Sequence, residues 1–239
     1  VNIPIDWTGV LTGEPAQWLG SGLVVTLVLT LVASLLATAV AVGLAAMRLS
    51  PVPPVRGTAR AVVGVFRNTP LLVQLLIWYF VGFGILPPEV KTWLTGDHPW
   101  AVLPGQVSLF APEFLAATWG LGLFIGVFLA EEIQAGLNAV APGQREAAAS
   151  QGLSPWDTLI AVLLPQALRN AWQPIVGQYL NLMKLTSIAC SIGLAELTYQ
   201  ARVVESFNSH AFEAFAVGTI LYLVVGFVLE RLFLLRRKA

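Results

Sequence analysis

Long apolar runs separated by polar interruptions set the pattern of this 239-residue chain. A helix needs about 20 apolar residues to cross a bilayer. Runs of that length occur near Ser21–Met47, Ala59–Gly84, Phe114–Leu137, Ile175–Leu197 and Ala214–Leu235. The first and fifth are the clearest, and charged residues blur the edges of the second, third and fourth. The pattern predicts an all-α, polytopic membrane protein with five transmembrane helices in one domain covering residues 1–239. Between the second and third runs, the Pro-rich segment 85–113 is too polar to span and reads as an outer loop with short interfacial elements. Between the third and fourth, residues 139–170 form a polar interruption with a local code of its own.

Composition agrees: 56% of residues are hydrophobic, 11% are charged, and mean hydropathy is +0.76, outside the range of an ordinary soluble domain. A formal net charge of zero hides an asymmetry that sets orientation. Arg48, Arg56, Arg60 and Arg67 lie between or just inside the first two runs, Arg145 and Arg169 lie within the polar interruption between the third and fourth, and Arg231, Arg236, Arg237 and Lys238 close the chain. Those are ten of thirteen basic residues, whereas the segments on the other side carry only Lys91 and Arg202. The positive-inside rule therefore places the N-terminus outside, and the C-terminus and residues 139–170 in the cytoplasm. The first twenty residues have neither the basic nor the apolar region of a signal peptide and read as an external lead-in, with Trp7 and Trp18 at the membrane surface. The sequence begins at Val1 rather than methionine, which fits either processing or a missing start. Cys190 is the only cysteine, so no disulfide or metal framework exists. His98 and His210 fall in outer segments, and no acid stands at a catalytic spacing from either. No phosphate-cradling glycine pattern occurs, so neither a cofactor, a metal nor ATP hydrolysis is expected of this chain.

The polar interruption Gly143-Gln144-Arg145-Glu146-Ala147-Ala148-Ala149-Ser150-Gln151-Gly152-Leu153-Ser154-Pro155-Trp156-Asp157 predicts two short helices joined by a turn. Glu146 to Ala149 are good helix formers and Gly152 supplies a left-handed stop. Ser154 caps the next helix, with Pro155 in its first position and Asp157 where a capping acid belongs. A chain that only had to cross back would use a tight turn, so this knob reads as a docking surface for another protein. Its spacing, Glu146-Ala147-Ala148, three residues, Gly152, nine residues, then Val162 and Leu164-Pro165, resembles the EAA loop of the membrane subunits of ATP-binding-cassette importers. Val162 stands where isoleucine is usual. Phe66-Arg67-Asn68-Thr69-Pro70-Leu71-Leu72-Val73-Gln74 and Asn181-Leu182-Met183-Lys184-Leu185-Thr186-Ser187 resemble the polar amino-acid permease branch of that family. The resemblance implies that Gln144, Glu146, Ala147, Ala148, Gly152 and Leu153 form a coupling surface for a cytoplasmic ATPase.

Charge inside an apolar run costs at least about 2.5–3.5 kcal/mol and needs a reason. Lys184 lies ten residues after Pro174, roughly half of a ~30 Å hydrocarbon core, with Thr186 and Ser187 adding hydroxyls beside the ammonium. Three readings stand: a substrate pathway meeting a carboxylate, a structural lysine paired with Glu131 or a carbonyl, or a lysine near water because the edge of the span lies elsewhere. By register with the EAA-like motif, Glu131 matches a glutamate usual in the branch, while Gln134 replaces a common arginine. That leaves Glu131 either free to meet Lys184 or a substrate ammonium, or a cytoplasmic-edge acid in contact with water. Arg67 reads as a gate or as a snorkelling anchor at the start of the second span, and Gln74 as a donor or acceptor between helices.

The resemblance implies a permease subunit working with a second permease, similar or identical, two cytoplasmic ATP-binding subunits and an external solute-binding protein. Leu86-Pro87-Pro88-Glu89-Val90-Lys91-Thr92-Trp93-Leu94 and Ser209-His210-Ala211-Phe212-Glu213 look most like the glutamate/aspartate importers, so glutamate or aspartate is the first expected substrate and a basic or amide amino acid the second. An ATP-independent secondary transporter predicts inverted repeats or paired broken helices, and a membrane enzyme a His, Asp or Ser cluster at one depth; the sequence displays neither.

Overall fold

The computed structural model describes residues 5–236; Val1 and the basic residues Arg237 and Lys238 lie outside them. The long elements are α1 (Gly13–Leu49), α2 (Pro53–Asn68), α3 (Leu71–Gly82), α4 (Pro112–Asn138), α5 (Pro142–Ser150), α6 (Pro155–Ile192), α7 (Leu197–Asn208) and α8 (Ala211–Arg236). Among the described residues, α1, α4 and α8 are long and apolar enough to cross a membrane. The bent pairs α2–α3 and α6–α7 raise the number to five if each is one span.

Three boundaries differ from the sequence expectation. Helix α1 begins at Gly13, so part of the expected lead-in is already helical. The second run is not one continuous helix. It breaks at Thr69 and Pro70, both in extended backbone, because the residue before a proline is driven out of the helical region. Arg67 therefore ends α2, a helix with an apolar side around buried Ala59 and Val63, instead of opening a span. The fourth run starts some twenty residues early: the second of the two expected short helices continues unbroken into α6, and Pro174 lies inside it. The depth assigned to Lys184, counted from Pro174 as an edge, loses its reference point. Helix α6 is α-helical in the main, but residues Thr158–Leu163 widen into a π-helical turn closed by Leu164 N–H on the Leu159 carbonyl. The widening directly precedes Pro165, which has no N–H for an α-helical bond and whose ring would meet the carbonyl four residues back.

The chain divides into two compact units, and α1, α4 and α6 each contribute to both. One unit comprises Val1–Leu35, Pro70–Leu121 and Leu180–Ala239. Its apolar centre joins Val10, Leu19, Leu197, Ala201, Val204 and Ala214. The start of α7 is pinned by a buried bond from Leu197 N–H to Thr26 Oγ1 at 3.1 Å. The loop between α3 and α4 holds a short helix, Pro88–Leu94, and an antiparallel pair that sets Val102 opposite Ser108. Trp93 packs tilted and His98 edge-on against Phe110, at 5.0 and 5.1 Å between ring centroids. Asp6 N–H donates to Glu213 Oε1 at 2.7 Å, tying the lead-in to α8. The Thr8 hydroxyl and then the Gly9 N–H hold the Asp6 carboxyl below its ordinary value.

The other unit comprises Leu36–Thr69 and Gly122–Tyr179. Helix α4 packs here at backbone contact: a Cβ on Gly136 would stand 2.4 Å from the Ala167 carbonyl oxygen. Thr38 and Tyr179 share a 2.7 Å hydrogen bond, and Gln178 Nε2 donates to Glu132 Oε1 at 3.1 Å. Only 17% of the most apolar window of α8 is buried within the chain, against 61% for α4. Helix α8 thus leaves most of its apolar surface to other molecules.

Candidate functional site

The exposed turn between α5 and α6 follows its local code closely. Helix α5 has Pro142 in its first turn and ends with Gly152 at φ 77°, a left-handed conformation that favours glycine. Leu153 N–H donates to the Ala148 carbonyl at 3.2 Å and Gly152 N–H to the Ala149 carbonyl at 3.0 Å, the paired bonds of a glycine C-terminal cap. Ser154 then caps α6: Asp157 N–H donates to its Oγ at 3.1 Å, while that hydroxyl donates to Asp157 Oδ2 at 2.6 Å. Gln144, Glu146 and Ala147 are exposed, and Ala148 alone of residues 141–157 is buried. Gln166 on α6 reaches back to Gln144 Oε1 at 3.1 Å, so the two helices are tied across the turn. Beside them opens a cleft of about 630 Å³, lined by Leu49, Ile133, Leu137, Trp156, Ile160 and Leu168 among others, with Trp156 68% exposed.

Glu131 lies in the same unit, and its partners remove one of its readings, the pairing with Lys184, while its side chain stays 32% exposed. It is held by Arg48 of α1 and by Arg67 of α2, the latter at 3.2 Å. The guanidiniums satisfy the charge that Gln134 no longer meets, and Glu131 is not the counter-ion of Lys184. Gln134 instead bonds Asn138 at 3.1 Å. Arg48, 14% exposed, is the partner sequence reasoning missed. Its position at the end of the first run was the only signal, and pairing across that distance in sequence is tertiary information.

The second constellation lies wholly in the other unit. Lys184 is exposed, and its ammonium makes no ion pair among the described residues. It borders two adjoining cavities of about 290 and 410 Å³ between the end of α6 and α8. Ser187, Thr198, Thr219 and Tyr222 line the first with it; Leu180, Thr219, Tyr222, Phe227 and Glu230 line the second. Thr186, expected beside Lys184, turns inward: it is fully buried and its hydroxyl donates to the Met183 carbonyl at 2.6 Å. The 3-10 twist of Thr186–Ile192 separates it from Ser187, which stays on the cavity. Gln74 is buried on α3.

Behind Tyr222 stands Glu196, 0% exposed, at the N-cap of α7. Its carboxylate accepts from Thr198 N–H at 3.0 Å, Tyr199 N–H at 2.9 Å and the Tyr222 hydroxyl at 2.6 Å. An acid with two helix N-terminal amides on it is held by hydrogen bonds and by the positive end of the helix. Sequence reading passed over Glu196 although the cost of burying an acid in an apolar run applied to it as much as to Lys184. Tyr222, 26 residues further on, gave no signal in an apolar run. The arrangement offers one cation, one exposed acid and several hydroxyls around an open space. It has the means to bind a small polar ion.

Residues 37–236 match the family of binding-protein-dependent transport system inner membrane components. The chain is 31% identical over 222 residues to the glutamate/aspartate import permease protein GltJ of Escherichia coli (strain K12), which covers 92% of this chain and 87% of that one. It is 30% identical over 229 residues to the probable glutamine ABC transporter permease protein GlnP of Bacillus subtilis (strain 168), covering 95% of each. A crystal structure of an amino acid ABC transporter with histidines is similar at a TM-score of 0.79 and 27% identity, over 99% of both chains. An inward-facing MetNI methionine ABC transporter is similar in fold, with a TM-score of 0.64 at 17% identity.

Proposed function

Since the chain belongs to the family of binding-protein-dependent transport system inner membrane components, we propose that it is the permease subunit of an ATP-driven importer for polar amino acids, glutamate and aspartate first. The likeness to a glutamate/aspartate permease across 92% of the chain supports this reading most directly. The energy comes from two cytoplasmic ATPase subunits that dock on the turn carrying Gln144, Glu146, Ala147, Ala148, Gly152 and Leu153. The capped and cross-tied geometry of that turn supports the assignment, because a rigid projection transmits displacement where a floppy loop would absorb it. With the turn in the cytoplasm, the N-terminus lies outside and an external solute-binding protein delivers substrate there. A second permease, similar or identical, covers the exposed face of α8 and completes the pathway.

Within that pathway Lys184 meets a substrate carboxylate, with Ser187 beside it. An ammonium exposed to an open cavity, with no acid paired to it among the described residues, is free to take up and release an anion. Glu230 on the wall of the same cavity favours a second reading, in which the side chain carried is basic; the similar structure with histidines points the same way. Uptake into proteoliposomes bearing the complete transporter tests both. Lys184→Met keeps bulk and removes charge, and it is expected to cut uptake at least tenfold while complex assembly and basal ATP hydrolysis persist. Uptake indifferent to the substitution returns Lys184 to a structural role. Competition by unlabelled glutamate over histidine favours the acidic reading, and the reverse favours the basic one.

A further inference from the structure

Every hydroxyl on the wall beside Lys184 already has its proton engaged. Ser187 Oγ donates to the Lys184 carbonyl at 2.7 Å, and Thr219 Oγ1 to the Phe215 carbonyl at 2.7 Å. The Tyr222 hydroxyl faces Glu196 Oε2 at 2.6 Å. Both oxygens of Glu196 accept backbone amides, so the carboxylate is the acceptor and Tyr222 the donor. Thr198 Oγ1 lies 3.2 Å from the same phenol oxygen; with the phenol's one proton on Glu196, Thr198 must donate. Thr186 also lies against the phenol but gives its proton to Met183. Four oxygens around the cavities are thus left with lone pairs to offer, and Lys184 stands beside them with hydrogens only. Such a wall rejects a second anion and suits a group rich in N–H.

We propose that this set of oxygens seats the ammonium group of the transported amino acid, with Tyr222 as the central acceptor and Glu196 as the positioning residue that fixes the direction of its hydrogen bond. The proposal rests on the amino-acid importer reading and deepens it: the site recognises a zwitterion, carboxylate toward Lys184 and ammonium toward Tyr222. The two groups of an α-amino acid are separated by a single carbon, which suits a cation and an acceptor that border the same cavity. Glu230, the one acid on the wall, is two helical turns from Tyr222, about 12 Å along α8, and is left to face the substrate side chain. Neutral oxygens hold an ammonium less firmly than a carboxylate does, which suits a site that must release its ligand.

The test is direct binding to the detergent-purified complex of permease and ATPase, by titration calorimetry. The probes are the tightest binder among L-glutamate, L-glutamine and L-histidine and its analogue with hydrogen in place of the α-ammonium. Wild type is expected to bind the amino acid at least about tenfold tighter than the analogue, the worth of one charge-assisted hydrogen bond. Tyr222→Phe keeps the ring and leaves Glu196 its two amides; it should weaken the amino acid by about tenfold, leave the analogue unchanged and bring the ratio toward one. Lys184→Met should weaken both probes together. Equal weakening of both by Tyr222→Phe would mean a structural role and overturn the proposal. A retained ratio would also overturn it, and its loss in Glu230→Gln would then assign the ammonium to Glu230. Failure of all three amino acids to bind wild type would instead remove the substrate assignment on which the proposal rests.

Discussion

Replacing Gly152 separates two ways in which the turn between α5 and α6 can matter. Its φ of 77° is left-handed, yet an added Cβ would find no atom within 4 Å. The penalty is therefore conformational and not steric, about 1–2 kcal/mol for an ordinary residue and less for asparagine, which visits that region readily. Such a cost shifts the population of the capped turn by a factor of roughly 5–30 without unfolding the chain. The series Asn, Ala, Val then orders itself: Asn near wild type, Ala lower, and Val lowest because its branched side chain resists positive φ most. Uptake by reconstituted transporter, normalised to the ATPase retained on the complex, is the assay. A valine variant that transports like wild type would refute the claim that the shape of the turn matters. An asparagine variant worse than alanine would refute it differently, by showing that empty space above Gly152 is what a partner uses.

Two further outcomes follow from packing and charge. Gly136→Leu drives a side chain into the Ala167 carbonyl, with no flexible neighbour to move aside, and is expected to lower the thermal midpoint and yield of purified protein markedly; a midpoint within a degree of wild type would contradict the close approach. Glu131→Gln leaves Arg48 and Arg67 facing each other without an acid. It should destabilise more than Arg67→Met, and combining it with Arg48→Met should recover part of the loss, as thermal unfolding of the two single variants and the double variant would reveal.

How far the sequence could be read depends on the range of the interaction. The turn at Gly152 and the cap at Ser154 were legible because each is decided within a few residues: a glycine at a left-handed stop, a serine before proline, an acid three positions on. The break at Thr69–Pro70 was half legible. Proline announced a disturbance, but the apolar residues on both sides concealed that α2 and α3 are separate helices. Nothing local marked the break between Ile192 and Leu197, because Gly193 and Glu196 sit in a run that reads as a span. The pairing of Glu131 with Arg48 and the bond between Glu196 and Tyr222 join residues from different helices, and a one-dimensional pattern has no term for them. Lys184 stood out by its charge alone, yet the hydroxyls it shares a cavity with, Thr198 and Thr219, come from helices that no spacing rule connects to it.

The two prolines of α6 make that helix a chain of segments in its response to solvent exchange. Pro165 and Pro174 carry no amide hydrogen, so the carbonyls of Ala161 and Asn170 lack the donor that the α-helical ladder would give them. The π-helical turn at Thr158–Leu163 re-registers the backbone at the first gap; no such widening accompanies the second. Deuterium uptake along this helix is therefore expected to divide into three stretches, before Pro165, between the prolines and beyond Pro174.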